Sequence, residues 1–156
     1  MKRLAVLCGL LAVPAIAQTP AAQTPGYGTP IPLERAMVII ENGMKVGAAR
    51  KLKLAFAIVE PSGELVAFAR MDDVPYASIR LAQQKARTSA RLRISTAVME
   101  QRVLSGRTVL MSSDEVLAIA GGLPIIENGR VIGALGVSGA TAVEDGAVAE
   151  AAVSAR

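Results

Sequence analysis

The amino-acid sequence predicts an α+β fold, in which helices pack on a β-sheet. Two β-hairpins support this prediction, one over residues 53–69 and one over residues 123–137. The second hairpin turns at Asn128-Gly129, the residue pair most typical of a two-residue hairpin turn. Helical patterns precede, separate and follow the hairpins. Paired strands of this kind favour an antiparallel sheet over the single alternation of strand and helix that builds a parallel one.

Helices are predicted where apolar residues recur at steps of three and four, or where composition favours them. The first starts at Leu33, with Glu34 in its first turn, and runs to about Lys51. The alanine-rich last helix carries Glu144 and Asp145 in its first turn, where negative charge is favourable. The predicted elements are, in order, helix 33–51, strands 53–59 and 65–69, helices 78–91 and 96–104, strands 117–119, 123–126 and 130–137, and helix 142–155.

The first 32 residues are predicted to lie outside this domain. Lys2 and Arg3 precede an apolar run over 4–13, and Ala15-Ile16-Ala17 has the small-x-small form of a signal-peptidase site. The run is shorter than the about 20 residues that span a bilayer; a buried N-terminal helix is the alternative. We expect a signal peptide over 1–17, a Pro-rich flexible or extended leader over 18–32, a domain over 33–156, and a periplasmic or secreted protein after cleavage near Ala17.

Composition excludes several classes of function. The 156 residues include no His, no Trp and one Cys, and 17 basic against 13 acidic residues give a net charge of +4. Without histidine there is no Ser-His-Asp triad, no Cys-His pair, and no His-ligated zinc or haem. The small charge excess and the 3% aromatic content argue against nucleic-acid binding. No apolar stretch is long enough to predict a membrane span.

A glycine-rich corner is the first candidate binding site. Gly136-Val137-Ser138-Gly139 leads into the last predicted helix, so that backbone N–H groups and the positive helix end can meet an anion there. The alternative is a tight strand-to-helix turn with Ser138 or Thr141 as the N-cap. Both interpretations use the same residues, and the sequence leaves them open.

Polar residues after the second strand and in the following helix are further candidates. Arg70 and Asp72 can orient a carboxylate ligand, or they can pair with each other or with Lys85. Lys85 and Thr88 can meet an anionic group or form a subunit contact. They belong to a basic stretch, 80–107, that indicates either a solvated helix face or an anion-binding or subunit-contact face.

Nine short motifs spread along the chain form a recognisable set: Tyr27-Gly-Thr-Pro-Ile31, Ala57-Ile-Val59, Gly63-Glu-Leu-Val66, Arg70-Met-Asp72, Ser78-Ile79, Lys85-Ala-Arg-Thr88, Gly121-Gly-Leu-Pro124, Ile132-Gly-Ala-Leu-Gly-Val-Ser-Gly139 and Glu144-Asp-Gly146. Read together, they resemble the GlcG/HbpS family, which is also described as haem-binding-protein-like and occurs as the C-terminal domain of PduO. The resemblance implies a profilin-like α+β fold with a five-stranded antiparallel sheet flanked by helices, and a homo-oligomer. Some members bind haem or cobalamin-related ligands.

The chain departs from the family pattern at Glu60, Asp73 and Ser95, and above all in having no histidine. Any His-based haem or iron ligation in the family therefore does not carry over. The candidates that remain for an axial ligand are Tyr76 and Met71, followed by Met99 and Met111.

Together these observations predict an exported small-ligand-binding protein that holds haem, or another anionic or tetrapyrrole ligand, as a homo-oligomer. The predicted ligand-binding residues are Arg70, Asp72, Lys85, Thr88, Gly136, Ser138 and Gly139. The alternative is a non-catalytic accessory or interaction subunit of an exported dehydrogenase or sensor system. An enzyme is the least supported class, because Ser138, Lys85 and Asp72 show no spacing that unites a nucleophile with a base.

Overall fold

A computed structural model describes residues 24–155, so the predicted signal peptide lies outside the described residues. A five-stranded sheet separates helices on its two faces. The elements are β1 (Gly26–Tyr27), α1 (Leu33–Ala49), β2 (Ala55–Val59), β3 (Leu65–Arg70), α2 (Tyr76–Leu92), α3 (Thr96–Leu104), a 3-10 helix (Thr108–Ser112), β4 (Gly122–Glu127), β5 (Arg130–Ser138) and α4 (Ala142–Ser154). The α+β class is confirmed, with helix and strand bounds close to those predicted.

The sheet is mixed, which corrects the prediction that it is purely antiparallel. Strands β4 and β2 run antiparallel to β5, and β3 runs antiparallel to β2. Strand β1 pairs parallel with β5, through Gly26 opposite Arg130 and Tyr27 opposite Val131. Strand β4 pairs with the same two β5 residues along one edge of β5, so β1 must pair along the opposite edge. Strand β2 pairs along that opposite edge too, further along β5.

The parallel strand arises from the segment predicted as a flexible or extended leader. Its end is extended and bonded to the domain: the N–H groups of Gly28 and Ile31 donate to the carbonyls of Val131 and Ile132, both at 2.8 Å. The Tyr27 hydroxyl donates to the carbonyl of Arg91 in α2 at 2.7 Å. The sequence pattern of prolines and glycines indicated an extended chain but not the strand that it would join.

The predicted short strand at 117–119 is wrong. Between α3 and β4 the chain forms the 3-10 helix and then an irregular stretch. The N–H of Leu117 donates to the Thr88 hydroxyl of α2 at 2.9 Å, so a side chain takes the place of a neighbouring strand.

The two faces of the sheet carry side chains of different size. Large apolar residues such as Phe56, Ile58 and Leu135 face α1 and α4. The opposite face presents mainly small residues to α2, among them Ala55, Ala57 and Ala134. The helix contributes three alanines of its own to this contact: Ala82, Ala86 and Ala90. Small residues on both surfaces let α2 lie close to the sheet. No helix within residues 24–155 is long and apolar enough to cross a bilayer.

Candidate functional site

Two regions are candidates for a functional site, and the first is a buried ion pair at one end of the sheet. Lys85 of α2 donates to a carboxylate oxygen of Asp145 in α4 at 2.7 Å and to the carbonyl of Val137 at 3.0 Å. Both side chains are only 2% exposed. The pair thereby joins the two helical layers that the sheet separates.

Two glycines make room for this ion pair. A Cβ at Gly121 would lie 2.5 Å from the carbonyl oxygen of Val137 and 2.9 Å from Lys85 Nζ, and Gly121 has a φ of +122°. A Cβ at Gly122 would lie 2.4 Å from the carbonyl oxygen of Lys85. The N–H of Gly122 donates to the buried Thr96 hydroxyl at 2.8 Å. The Gly-Gly motif is therefore a close-packing motif in this fold.

Burial raises the pKa of Asp145 above its ordinary value of 3.8. The hydrogen bond and positive charge of Lys85 oppose this effect, as do the backbone N–H groups of Ala140 and Gly139. The raised pKa means that desolvation of the carboxylate outweighs these stabilising contacts.

Five of the seven predicted ligand-binding residues take part in internal contacts around this region, and one of them is Gly139, whose N–H bonds to Asp145. The Lys85 ammonium is bonded as described, and the Thr88 hydroxyl donates to the carbonyl of Glu115 at 2.9 Å. Ser138 is buried opposite Ala55 in the sheet. A Cβ at Gly136 would lie 1.9 Å from the carbonyl oxygen of Ala82, so this glycine is where α2 crosses closest to β5.

The glycine-rich corner forms a strand-to-helix turn with Thr141 as the N-cap. Gly139 has a φ of +148°, and its Cβ would lie 2.1 Å from the carbonyl oxygen of Lys53. The Thr141 hydroxyl accepts from the N–H of Glu144 at 3.3 Å, and the Glu144 carboxylate accepts from the N–H of Thr141 at 3.1 Å. This reciprocal capping box corresponds to the turn interpretation of the corner.

Arg70 and Asp72 lie apart from the buried pair. Both are exposed at the end of β3, and within residues 24–155 no ion pair or side-chain hydrogen bond joins either one to Lys85. In the sheet, Arg70 lies opposite Ala55, and Ala55 lies opposite Ser138. This arrangement places Arg70 two strands away from Ser138 and does not bring it into contact with Lys85.

The residues proposed from the sequence as axial ligands are dispersed. Tyr76 is 83% exposed at the start of α2, and Met71 packs partly buried against both apolar clusters. Met111 is exposed on the 3-10 helix, whereas Met99 of α3 is 5% exposed. The described part of the chain contains no group of three or more His, Cys, Asp or Glu side chains that could hold a metal ion.

The second candidate region is the surface of α3, which borders two cavities. One has a volume of about 500 Å³ and is lined by Ala97, Val98, Gln101, Arg102, Ser105 and Arg107. The other, of about 430 Å³, is lined by Leu92, Arg93, Ile94, Met99 and Arg102 with Thr24 and Pro25. Arg102 borders both cavities, and its guanidinium lies 3.9 Å from the Met99 sulfur. We call these two cavities the α3 cavities.

Arg93 follows the last residue of α2 and lines the smaller of the two α3 cavities. It has a φ of +56°, its Nη1 donates to the carbonyl of Pro25 at 3.0 Å, and its guanidinium lies 4.9 Å from the centre of the Tyr27 ring. Its Nε is buried and has no hydrogen-bond partner among residues 24–155. A buried donor without a partner is costly, and a bound acceptor would satisfy it.

Of the seven predicted ligand-binding residues, none borders the α3 cavities. The sequence signal that pointed toward them is the basic stretch 80–107, which contains Arg93, Arg102 and Arg107. Charge density alone could not separate a solvated helix face from a binding surface, because the distinction depends on which cavities these arginines border.

Comparison with known proteins gives the family. The model of the family "Haem degrading protein HbpS-like" matches residues 31–154. Protein GlcG of Escherichia coli is 35% identical over 105 residues, which cover 67% of this chain and 78% of GlcG. An uncharacterized 15.0 kDa protein of the dhaT-dhaS intergenic region of Citrobacter freundii is 36% identical over 104 residues, covering 64% of this chain and 73% of that protein.

Solved structures agree on the fold. The Klebsiella pneumoniae protein ORFY has a TM-score of 0.75 at 25% identity, over 88% of this chain and 95% of its own. A double mutant of Streptomyces reticuli HbpS has a TM-score of 0.75 at 23% identity, over 92% and 96%. A PduOC–haem complex has a TM-score of 0.72 at 22% identity, over 80% and 94%. The resemblance inferred from the motifs is thereby confirmed, and this chain belongs to the GlcG/HbpS family.

Proposed function

We propose that this protein is an exported homo-oligomer that binds haem, or another anionic tetrapyrrole, at the α3 cavities. The observation that carries the proposal is that these cavities combine apolar walls with arginines that form no ion pair within residues 24–155. Haem has the same combination, a flat apolar ring and two carboxylates. The family description and a relative solved with haem support this choice of ligand.

The residues around the α3 cavities fit such a ligand. The α3 cavities are open to solvent, the larger one being a shallow depression, and their volumes lie within the about 300–1,000 Å³ of typical small-molecule sites. Arg102 and Arg107 are available to the carboxylates, since guanidinium groups bind carboxylates through paired, charge-assisted hydrogen bonds. Arg93, whose Nε has no partner among residues 24–155, lines the same cavity as Met99.

Met99 is the side chain that we propose would hold the iron of a bound haem. Thioether sulfur is an established haem ligand, and bound haem iron would supply redox or oxygen chemistry. Of the four candidates Tyr76, Met71, Met99 and Met111, only Met99 lines an α3 cavity. Its side chain is buried, so it is fixed by its surroundings before any ligand arrives.

A haemin titration followed by absorbance tests this proposal. We expect a saturable band at one haem per subunit or per dimer. Met99→Leu should shift the band, because it removes the sulfur while keeping the side-chain volume. Met111→Leu, on the exposed 3-10 helix, is the matched control and should leave the band unchanged. Absence of a saturable band would contradict haem binding. Equal spectra for Met99→Leu and the unchanged protein would contradict the role of Met99.

The homo-oligomer is supported by the apolar surface that follows α3. Leu104, Val109 and Met111 are 73%, 68% and 63% exposed. Such a group of large apolar side chains in contact with water is typical of a surface that another subunit covers. Native mass spectrometry should therefore show more than one subunit, and Val109→Asp should shift the population toward the monomer. A monomeric unchanged protein would contradict this part of the proposal.

A further inference from the structure

A further, polar cavity lies on α2, away from α3. It has a volume of about 290 Å³ and lies between α2 and the turn that joins β2 to β3. Its lining includes Gly63, Glu64 and Leu65 on the turn side and Arg80, Gln84 and Arg87 on the helix side. The three helix residues follow one another at steps of four and three, so they share one face of α2.

Two guanidinium groups are available in this cavity. Arg80 is exposed and forms no ion pair within residues 24–155. Arg87 is half exposed, and its Nη2 lies 3.8 Å from a Glu115 carboxylate oxygen. Glu115 is held more closely by Arg91, whose Nε lies 3.0 Å from its other oxygen. Arg87 therefore keeps most of its hydrogen-bonding capacity for a ligand.

The turn on the other side of the cavity is fixed in place. Gly63 has a φ of +93°, and its ideal Cβ position lies 3.0 Å from the side-chain carbons of both Arg87 and Arg91, so the turn rests on the arginine stems. The Ser62 hydroxyl donates to the Glu60 carboxylate at 2.7 Å and accepts from the N–H of Glu64 at 3.3 Å. These contacts involve the backbone of Glu64 and leave its carboxylate without an ion pair in the described chain.

We infer that this cavity binds a small carboxylic acid that also carries a hydroxyl group. Arg80 and Arg87 supply paired donors for the carboxylate, and the Glu64 carboxylate accepts from the hydroxyl. A volume at the low end of the range for ligand sites selects an acid of a few carbon atoms. This inference does not depend on haem binding, because the two sites share no residue.

Calorimetric titration with malate and with succinate, which lacks only the hydroxyl, tests the inference. We expect saturable binding of malate and weaker binding of succinate. Arg80→Ala should weaken malate binding about tenfold, the effect of losing one charge-assisted contact. Glu64→Ala should remove the preference for malate over succinate. Arg50→Ala, an exposed arginine after α1, is the matched control and should change neither affinity.

The outcomes separate the parts of the inference. Absence of saturable heat with both acids would overturn it, as would equal weakening by Arg80→Ala and Arg50→Ala, since that would reveal general charge attraction. Equal affinities of the unchanged protein for malate and succinate would overturn the role of Glu64. Because Arg80 and Glu64 are both exposed, far-UV circular dichroism should show that the variants fold.

Discussion

The region around the buried Lys85–Asp145 pair differs from the α3 cavities in whether its polar groups have hydrogen-bond or ion-pair partners inside the protein. Around the buried pair, the ammonium, the carboxylate and the neighbouring backbone groups bond to one another inside the protein. At α3, Arg102 and Arg107 form no ion pair within residues 24–155, and Arg93 keeps a buried donor unpartnered. Satisfied polar groups hold a fold together, whereas unsatisfied ones at a cavity are available to a ligand.

This difference explains why the most recognisable motifs do not border the α3 cavities. Glycines and a lysine in fixed positions are what a close helix–sheet contact with an internal ion pair requires. The α3 cavities require only arginines beside apolar residues, and many different sequences meet that requirement. A family motif can therefore identify the fold without including the residues of the site that we propose.

The largest expected effect comes from filling the contact between α2 and β5. Gly136→Ala places a Cβ 1.9 Å from the backbone oxygen of Ala82, which cannot move without displacing α2. Overpacking usually costs about 1–3 kcal/mol, and a backbone clash this short should exceed that range and abolish the native fold. The measurement is thermal unfolding followed by circular dichroism.

Gly146→Ala is the matched control for that substitution. Gly146 lies within α4, and the nearest heavy atoms to its ideal Cβ position are 3.9 Å and 4.0 Å away. Alanine favours a helix over glycine by about 1 kcal/mol, so this variant should unfold at a higher temperature. A Gly136→Ala protein that unfolds like the unchanged one would show that α2 does not pack as described.

Removing the cation of the buried pair should have the next largest effect. Lys85→Met leaves the Asp145 carboxylate buried without its partner, and breaking a buried pair in this way costs about 3–5 kcal/mol. The double variant Lys85→Met, Asp145→Asn should recover most of the loss, since its asparagine can still accept from the N–H of Ala140. Denaturant unfolding measures both. A double variant no more stable than Lys85→Met would contradict the pairing.

A smaller effect distinguishes the two regions as ligand sites. Arg102→Ala should weaken haemin binding about tenfold, equivalent to about 1.4 kcal/mol, through loss of a carboxylate contact. Arg70→Ala, one of the residues predicted from the sequence, should leave the affinity unchanged if the ligand lies at α3. The reverse order of effects in an absorbance titration would move the binding site to the end of β3.

The smallest expected effect is the pH dependence that Asp145 contributes. Its pKa is raised in the folded protein, mainly by burial, so the folded state binds the proton more tightly than the unfolded state. The contribution of Asp145 to the unfolding free energy is fully present below pH 3.8, the ordinary pKa of the group. It is lost as the pH rises through the folded-state pKa. The unfolding free energy of the unchanged protein minus that of Asp145→Asn should therefore fall as the pH rises from below 3.8 through the raised folded-state pKa. A difference that increases with pH would contradict the raised pKa.

The fold could be predicted from the sequence where local signals and tertiary packing agree. The Asn128-Gly129 turn joins β4 and β5 as expected, and helix α3 has the predicted bounds. The parallel strand β1 could not be predicted, because two residues carry no periodicity. The false strand at 117–119 has the opposite cause, since its apolar residues mimic a strand while its backbone bonds to Thr88.

The candidate site was less predictable for a related reason. The sequence shows that Lys85 and Asp145 are charged but not that two residues 60 positions apart in the chain meet. Nor does it show that Met99 and Arg93, from different helices, border one cavity. These relations depend on long-range packing, and local patterns record only residue type and spacing.

Hydrogen–deuterium exchange with and without haemin tests the central claim most directly, namely that ligand binds at α3. We predict slower exchange over α3 (Thr96–Leu104) and at Arg107, with unchanged exchange at the exposed residues Arg70 and Asp72. Slower exchange at Arg70 and Asp72, with α3 unaffected, would contradict the claim and favour the site predicted from the motifs.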